Sequence, residues 1–126
     1  KRVKLKSKLD KVIFDNDFII PIDLKTTERV RDFYKSFDKL MYGFQGAFYT
    51  MALEYKYPNK KIKPFTFIIE SSLYPGKPVL YRMKQDTLDY WKTKVDEAIE
   101  RYIFHSRLGR WDYTMEQIQN DGIIFI

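Results

Sequence analysis

The chain has 126 residues, of which 44% are hydrophobic and 17% aromatic. That is enough for the core of one domain and too apolar for a disordered segment. With 23 Lys and Arg against 17 Asp and Glu the formal charge is +6, which favours a polyanionic partner, while the absence of Cys and the single His exclude disulfide scaffolds, cysteine nucleophiles, thiolate metal sites and paired-histidine relays.

No apolar run approaches the roughly 18–20 residues of a membrane span, so no membrane partner is expected. Lys1 to Leu9 already alternates polar and apolar residues, and Gly122 to Ile126 is apolar to its end. The expectation is one domain over residues 1–126, part of a longer chain and truncated at the N-terminus. A first strand is predicted from Val3 to Phe14 and a second from Phe18 to Lys25. Asp15-Asn16-Asp17 between them is a turn signal, because Asn and Asp tolerate left-handed backbone. Thr26 and Thr27 are candidate caps of a helix in which Val30, Phe33, Tyr34, Phe37, Leu40 and Met41 recur at helical spacing. A second helix runs to about Tyr57, with Gly43 and Gly46 blurring the join. Strands follow at Phe65–Ile69 and Val79–Met83. A long helix capped by Asp86 or Thr87 places Leu88, Trp91, Val95, Ile99 and Tyr102 on one face, and residues 108–126 show no clear pattern. The order is that of a mixed α/β domain, a central mixed β-sheet flanked by helices.

The first hairpin carries the chemistry. If Asn16-Asp17 is a two-residue loop, Asp15 pairs with Phe18, Val12 with Pro21 and Asp10 with Asp23. Asp10 and Asp23 then form a pair without ladder hydrogen bonds, with Cα atoms about 4.5 Å apart. Like charges placed so destabilise a sheet unless one carboxyl takes a proton or both share a divalent cation. Lys25 falls on the same face as Asp23, within reach of a phosphate or an attacking water. The opposite face, with Leu9, Ile13, Ile20, Ile22 and Leu24, reads as the core side. Pro21 and Asp23 interrupt an otherwise apolar strand, and such departures tend to mark functional sites. The plain alternative is a pair of surface charges on an exposed strand, and a one-residue slip would move Asp10 to the other face.

Together these residues resemble the PD-(D/E)XK nuclease superfamily. Pro21-Ile22-Asp23-Leu24-Lys25 matches its central motif with one extra intervening residue. Asp10 upstream, Asp23-Leu24-Lys25-Thr26 and then Gln45-x-x-x-Tyr49 look most like the RecB/RecE-like exonuclease branch, of the phage recombination type. The resemblance implies a restriction-endonuclease-like core and a metal-dependent DNA exonuclease acting in recombination or repair. Asp10, Asp23 and the backbone carbonyl of Leu24 would hold Mg²⁺, for which Mn²⁺ can substitute. Asp10, Asp23 and Lys25 would be catalytic, and Gln45 and Tyr49 would hold the substrate or brace Lys25. It further implies DNA as partner, with a homo-oligomer and a single-strand annealing protein as additional partners, in the cytoplasm of a bacterial or phage-infected cell. One departure matters: the branch supplies a further His or Glu ligand from an upstream helix, and none stands among the nine residues before Asp10. The alternative is therefore a non-catalytic module that binds nucleic acid or protein on a degenerate nuclease fold.

Outside the motif, Lys56, Lys60, Lys61 and Lys63 form a basic cluster. Arg2, Lys4, Lys6 and Lys8 alternate on the Asp10 side, where they would line a nucleic-acid groove leading to the site. Glu70 ends the third predicted strand, where it could approach a metal. His105 follows the long helix, where the helix dipole would favour it. Tyr42 and Trp91 read as core or rim.

Overall fold

A computed structural model describes residues 3–126, so Arg2 of the basic set lies outside the described residues. Strand β1 (Lys11–Asp15) turns through Asn16-Asp17 into β2 (Phe18–Thr27). Asn16 takes left-handed backbone (φ 48°), which Asn adopts at low cost. The register is the one the two-residue loop dictates, from Asp15 opposite Phe18 to Lys11 opposite Ile22. A single 3-10 turn (Val30–Asp32) leads to α1 (Phe33–Lys39) and α2 (Tyr42–Lys56). Three strands follow: β3 (Lys61–Ile62), β4 (Thr66–Ser71) and β5 (Val79–Arg82). The chain then forms the long α3 (Gln85–Leu108) and the short α4 (Met115–Gln119). The main sheet order is β1-β2-β4-β5, with β3 in line with β4 on the same side of β2. The β2–β4 pair is parallel and both outer pairs are antiparallel, so the sheet is mixed. Among the described residues no helix is long and apolar enough to cross a membrane.

Pro21 fits a central strand for a local reason. Partners of β2 on the β3/β4 side end at Ile19 and resume at Ile22. The missing N–H of Pro21 faces that break, on the side away from β1, and no ladder bond is lost.

The helices cover one face of the sheet. Phe65, Phe67 and Ile69 pack there against Phe33 of α1, Ala47 of α2, and Leu88 and Val95 of α3. The helix α2 passes through both of its glycines unbroken. A Cβ on Gly43 would fall inside the Trp91 indole, and one on Gly46 would come within 2.6 Å of Met83 Sδ. Both glycines thus let the helix approach its neighbours closely, which is why two helix-weakening residues sit in its first half.

Several expectations are corrected. The first strand is only Lys11–Asp15; residues 3–9 form no strand, and Leu5 is exposed like the lysines on either side of it. Thr26 and Thr27 continue β2 and cap no helix. Neither Asp86 nor Thr87 caps α3, whose N-cap is Lys84. The face of β2 turned to the helices is that of Ile19, Pro21 and Asp23, all buried, and not the Ile20–Leu24 face. Leu24 is 56% exposed, and Leu80 on β5 is open on the same side. Only Ile22 of that set is buried, while Leu9 packs against the core from outside the strand.

Candidate functional site

Three groups meet where β1 and β2 part. The ladder would next pair Asp10 with Asp23, and then Leu9 with Leu24. It stops at Lys11 instead. Asp10, exposed, bends its side chain back to β2, and its Oδ2 accepts the Leu24 N–H at 3.0 Å, the bond a strand carbonyl would have taken. Asp23 follows Pro21 on the helix-covered face, beside Phe67 of β4, and is only 3% exposed. Lys25, two residues on, brings Nζ to 2.9 Å from Asp23 Oδ2. This contact is an ion pair, and Asp23 Oδ2 is buried with no other partner.

The two carboxyls are pushed in opposite directions. Asp10 is held below the ordinary carboxylate range, first by the Leu24 N–H and then by the neighbouring Asp23 carboxyl. Asp23 is pushed up, first by burial, with the Lys25 ammonium opposing and Asp10 adding to the shift. Two acids so placed titrate as a pair.

From the helix side, α2 presents Tyr42, Gln45 and Tyr49 at spacings of three and four, one face of the helix. Gln45 Nε2 lies 3.5 Å from the Tyr49 hydroxyl, and Gln45 Oε1 is buried without a hydrogen-bond partner. Tyr42, read from the sequence as core or rim, does pack on the core and also reaches the site. Its ring centroid lies 4.3 Å from Lys25 Nζ, and the ring stacks on Phe33 at 5.6 Å. The signal was present, since Tyr42 stands three residues before Gln45 on the same face. Met41, just before it, takes left-handed backbone (φ 55°, ψ 37°). That costs about 1–2 kcal/mol for a residue with a Cβ. It starts α2 at Tyr42, which sets the ring against the ammonium.

Other candidates fall elsewhere. Glu70 Oε1 accepts the Gly76 N–H at 2.6 Å, so it serves the turn before β5. His105 Nδ1 bonds the Arg110 carbonyl oxygen at 2.8 Å, and its ring stacks on Trp111 at 5.1 Å, beyond a simple dipole contact. Trp91 lies over Gly43 and packs on the core. Among the described residues no group of three or more His, Cys, Asp or Glu side chains is placed to hold a metal. Asp10 and Asp23 are thus the acidic pair at the site. Two carboxylates, one with a buried oxygen partnered by Lys25 alone, suit a hard divalent cation that completes its shell with water and substrate oxygens.

The family model of the PDDEXK-like domain of unknown function DUF3799 matches residues 1–119. The chain belongs to this family. Its mixed sheet with helices is a PDDEXK-like fold, and the nuclease-type resemblance of the motif is met at the level of the superfamily. No curated protein matches the chain. Within this PDDEXK-like domain, Asp10, Asp23 and Lys25 of the motif meet where β1 parts from β2, and Tyr42 of α2 reaches Lys25 there.

Proposed function

We propose that this PDDEXK-like domain hydrolyses phosphodiester bonds of DNA with a divalent cation held by Asp10 and Asp23. The observation that carries the reading is the convergence at the β1–β2 fork. Two carboxyls meet there, one of them buried, with an ammonium 2.9 Å from the buried one. A structural ion pair would have no use for the second acid, which raises the cost of the first. When bound, Mg²⁺ or Mn²⁺ supplies Lewis acidity toward a phosphoryl oxygen. Asp10 and Asp23 hold the cation, with the Leu24 carbonyl as the further ligand the resemblance implies. Lys25, steadied between Asp23 and the Tyr42 ring, faces the anionic phosphate and orients the water that attacks it. Gln45, with an oxygen left over, accepts from the substrate or the water, and Tyr49 braces it. The finer form, an exonuclease of recombination or repair, rests on the resemblance of Asp10, Asp23-x-Lys25 and Gln45-x-x-x-Tyr49 to the RecB/RecE-like branch.

A second reading has one observation in its favour. With two carboxylates and no third His, Cys, Asp or Glu beside them among the described residues, the fold could serve as a non-catalytic nucleic-acid-binding module. Calorimetric titration with Mn²⁺ and Mg²⁺, alongside DNA digestion, separates the two. The expected result is cation binding and cation-dependent digestion, both lost in Asp10→Ala. Cation binding of the same strength in Asp10→Ala would remove the site. DNA binding with neither cation binding nor digestion would favour the module.

Tyr42 gives a finer check. Tyr42→Leu takes the ring from under the ammonium, an interaction of about 1 kcal/mol at a partly exposed site. We expect kcat to fall about fivefold. Tyr42→Phe, which keeps the ring, should stay near wild type. Equal losses in both variants would mean the hydroxyl matters and the ring face does not.

A further inference from the structure

Residues 3–9 leave Asp10 and run across the helices. Val3, Leu5 and Ser7, with Lys4 and Lys6, line one side of an apolar cavity of about 810 Å³. Phe48, Met51 and Tyr55 of α2 and Val95 and Ile99 of α3 line the other. Along this segment Lys4, Lys6 and Lys8 are exposed, while Val3, Ser7 and Leu9 turn inward. Leu9 anchors the segment on the core. Lys56, at the end of α2, adds a third cation to the rim, with Lys8 further along the segment. None of these four lysines forms an ion pair among the described residues. Glu54, the acid beside Tyr55, is tied to Lys92 at 2.8 Å. Tyr55 itself is 87% exposed.

An aromatic, open cavity with unpaired cations along one rim suits a ligand with flat apolar faces and regularly spaced negative charges. Single-stranded nucleic acid has both on offer: its bases stack on aromatic rings and its phosphates meet the cations. A duplex hides its base faces, and an anionic membrane has no rings to stack. The reach of the chain lets alternate lysines stand at most about 7 Å apart and puts Lys4 at most about 20 Å from Asp10.

We propose that residues 3–9 and the cavity beneath them form a track for single-stranded nucleic acid. Phosphates lie along Lys4, Lys6 and Lys8, a base stacks against Phe48 and Tyr55, and the strand leads to Asp10. The direction of the track rests on the phosphodiesterase reading; the binding does not.

The test is fluorescence anisotropy with a labelled oligothymidylate and a duplex of matched length, in chelator so that nothing is cut. The proteins are the wild type, the triple variant Lys4→Gln/Lys6→Gln/Lys8→Gln, and Tyr55→Ala. All changed side chains are exposed, and melting curves confirm that the variants fold. Three lost phosphate contacts should lower the slope of log K against log salt by about 2. Tyr55→Ala should weaken the single strand roughly tenfold and leave the duplex unchanged. An unchanged salt slope in the triple variant overturns the track. Equal losses for duplex and single strand overturn the single-strand assignment. So does binding to phosphatidylserine vesicles with none to the oligonucleotide. Failure of wild type to digest DNA with Mg²⁺, while the oligonucleotide still binds as described, rejects the nuclease reading and leaves the track standing.

Discussion

Asp23→Asn is expected to stabilise the cation-free domain while abolishing its DNA hydrolysis. Asp23 is 3% exposed, and one of its carboxylate oxygens has no partner besides Lys25. An unsatisfied buried polar atom costs about 1–3 kcal/mol, more when charged. Asparagine has nearly the same shape and carries no charge, and Lys25, though it loses its ion-pair partner, stays 21% exposed and keeps the Tyr42 ring, so little is stranded. The gain should depend on pH with a definite sign. Burial raises the Asp23 pKa in the fold, so its contribution to stability is complete below the unfolded value of about 3.9. It is lost as pH rises through the folded value. Asp10 runs the other way, contributing above about 3.9 and losing that contribution as pH falls through its lowered value. The advantage of asparagine should therefore be large at neutral pH and small near pH 4. Thermal melts in chelator at both values measure it. Activity should fall by roughly 10³-fold, the scale for losing one electrostatic stabiliser at a reaction centre. A variant less stable than wild type at neutral pH would mean that Asp23 is satisfied in the fold, and the strain taken as a sign of function would be gone.

The hairpin and its register were legible because Asn16-Asp17 leaves few ways to join two strands, and every pair from Asp15–Phe18 to Lys11–Ile22 follows from that loop. The same arithmetic brought Asp10 opposite Asp23. It did not reveal that the strand would end one residue early so that Asp10 could bond the Leu24 N–H. That exchange is a side-chain event, invisible to periodicity. The core face was misread for a related reason. Around Asp23, β2 carries Ile20, Ile22 and Leu24 on one face and Pro21, Asp23 and Lys25 on the other, and apolarity alone selects the first. The helices cover the second, because Phe65 just before β4, Phe67 of β4 and Phe33 of α1 make that side apolar around the site. A central strand borrowing its core from neighbours cannot be oriented from its own sequence. The Val3–Leu9 alternation of residue types belongs to a segment that lies against the helices without a ladder, and Leu5 is exposed there despite it. Near the end, α4 was signalled only by Thr114-x-x-Gln117, which the fold uses as a reciprocal cap. Five residues are too few to show a period.

Lys25→Met tests whether the ammonium is there for Asp23 or for a substrate. Its side chain is 21% exposed and pairs with a carboxylate almost fully enclosed. Removing one partner of a buried pair strands the other, a change that costs 3–5 kcal/mol when both are fully enclosed. Solvent reaches this lysine, and Asp23 can escape by taking a proton, so about 1–3 kcal/mol is expected at neutral pH. Without the ammonium that opposed its rise, the Asp23 pKa goes higher still. The stability deficit should therefore shrink as pH falls, the sign expected of an acid whose folded pKa is raised. The double variant Asp23→Asn/Lys25→Met then decides between roles. With no charge left to strand, it should be more stable than Lys25→Met alone by most of that deficit, a coupling a double-mutant cycle reads directly. Hydrolysis should be lost in Lys25→Met, by about 10²–10³-fold, and should not return in the double variant. Stability recovered without activity would place the lysine at the phosphate, with Asp23 as its anchor. Activity kept in Lys25→Met would reduce the lysine to a counter-charge and leave the carboxylate pair to act alone.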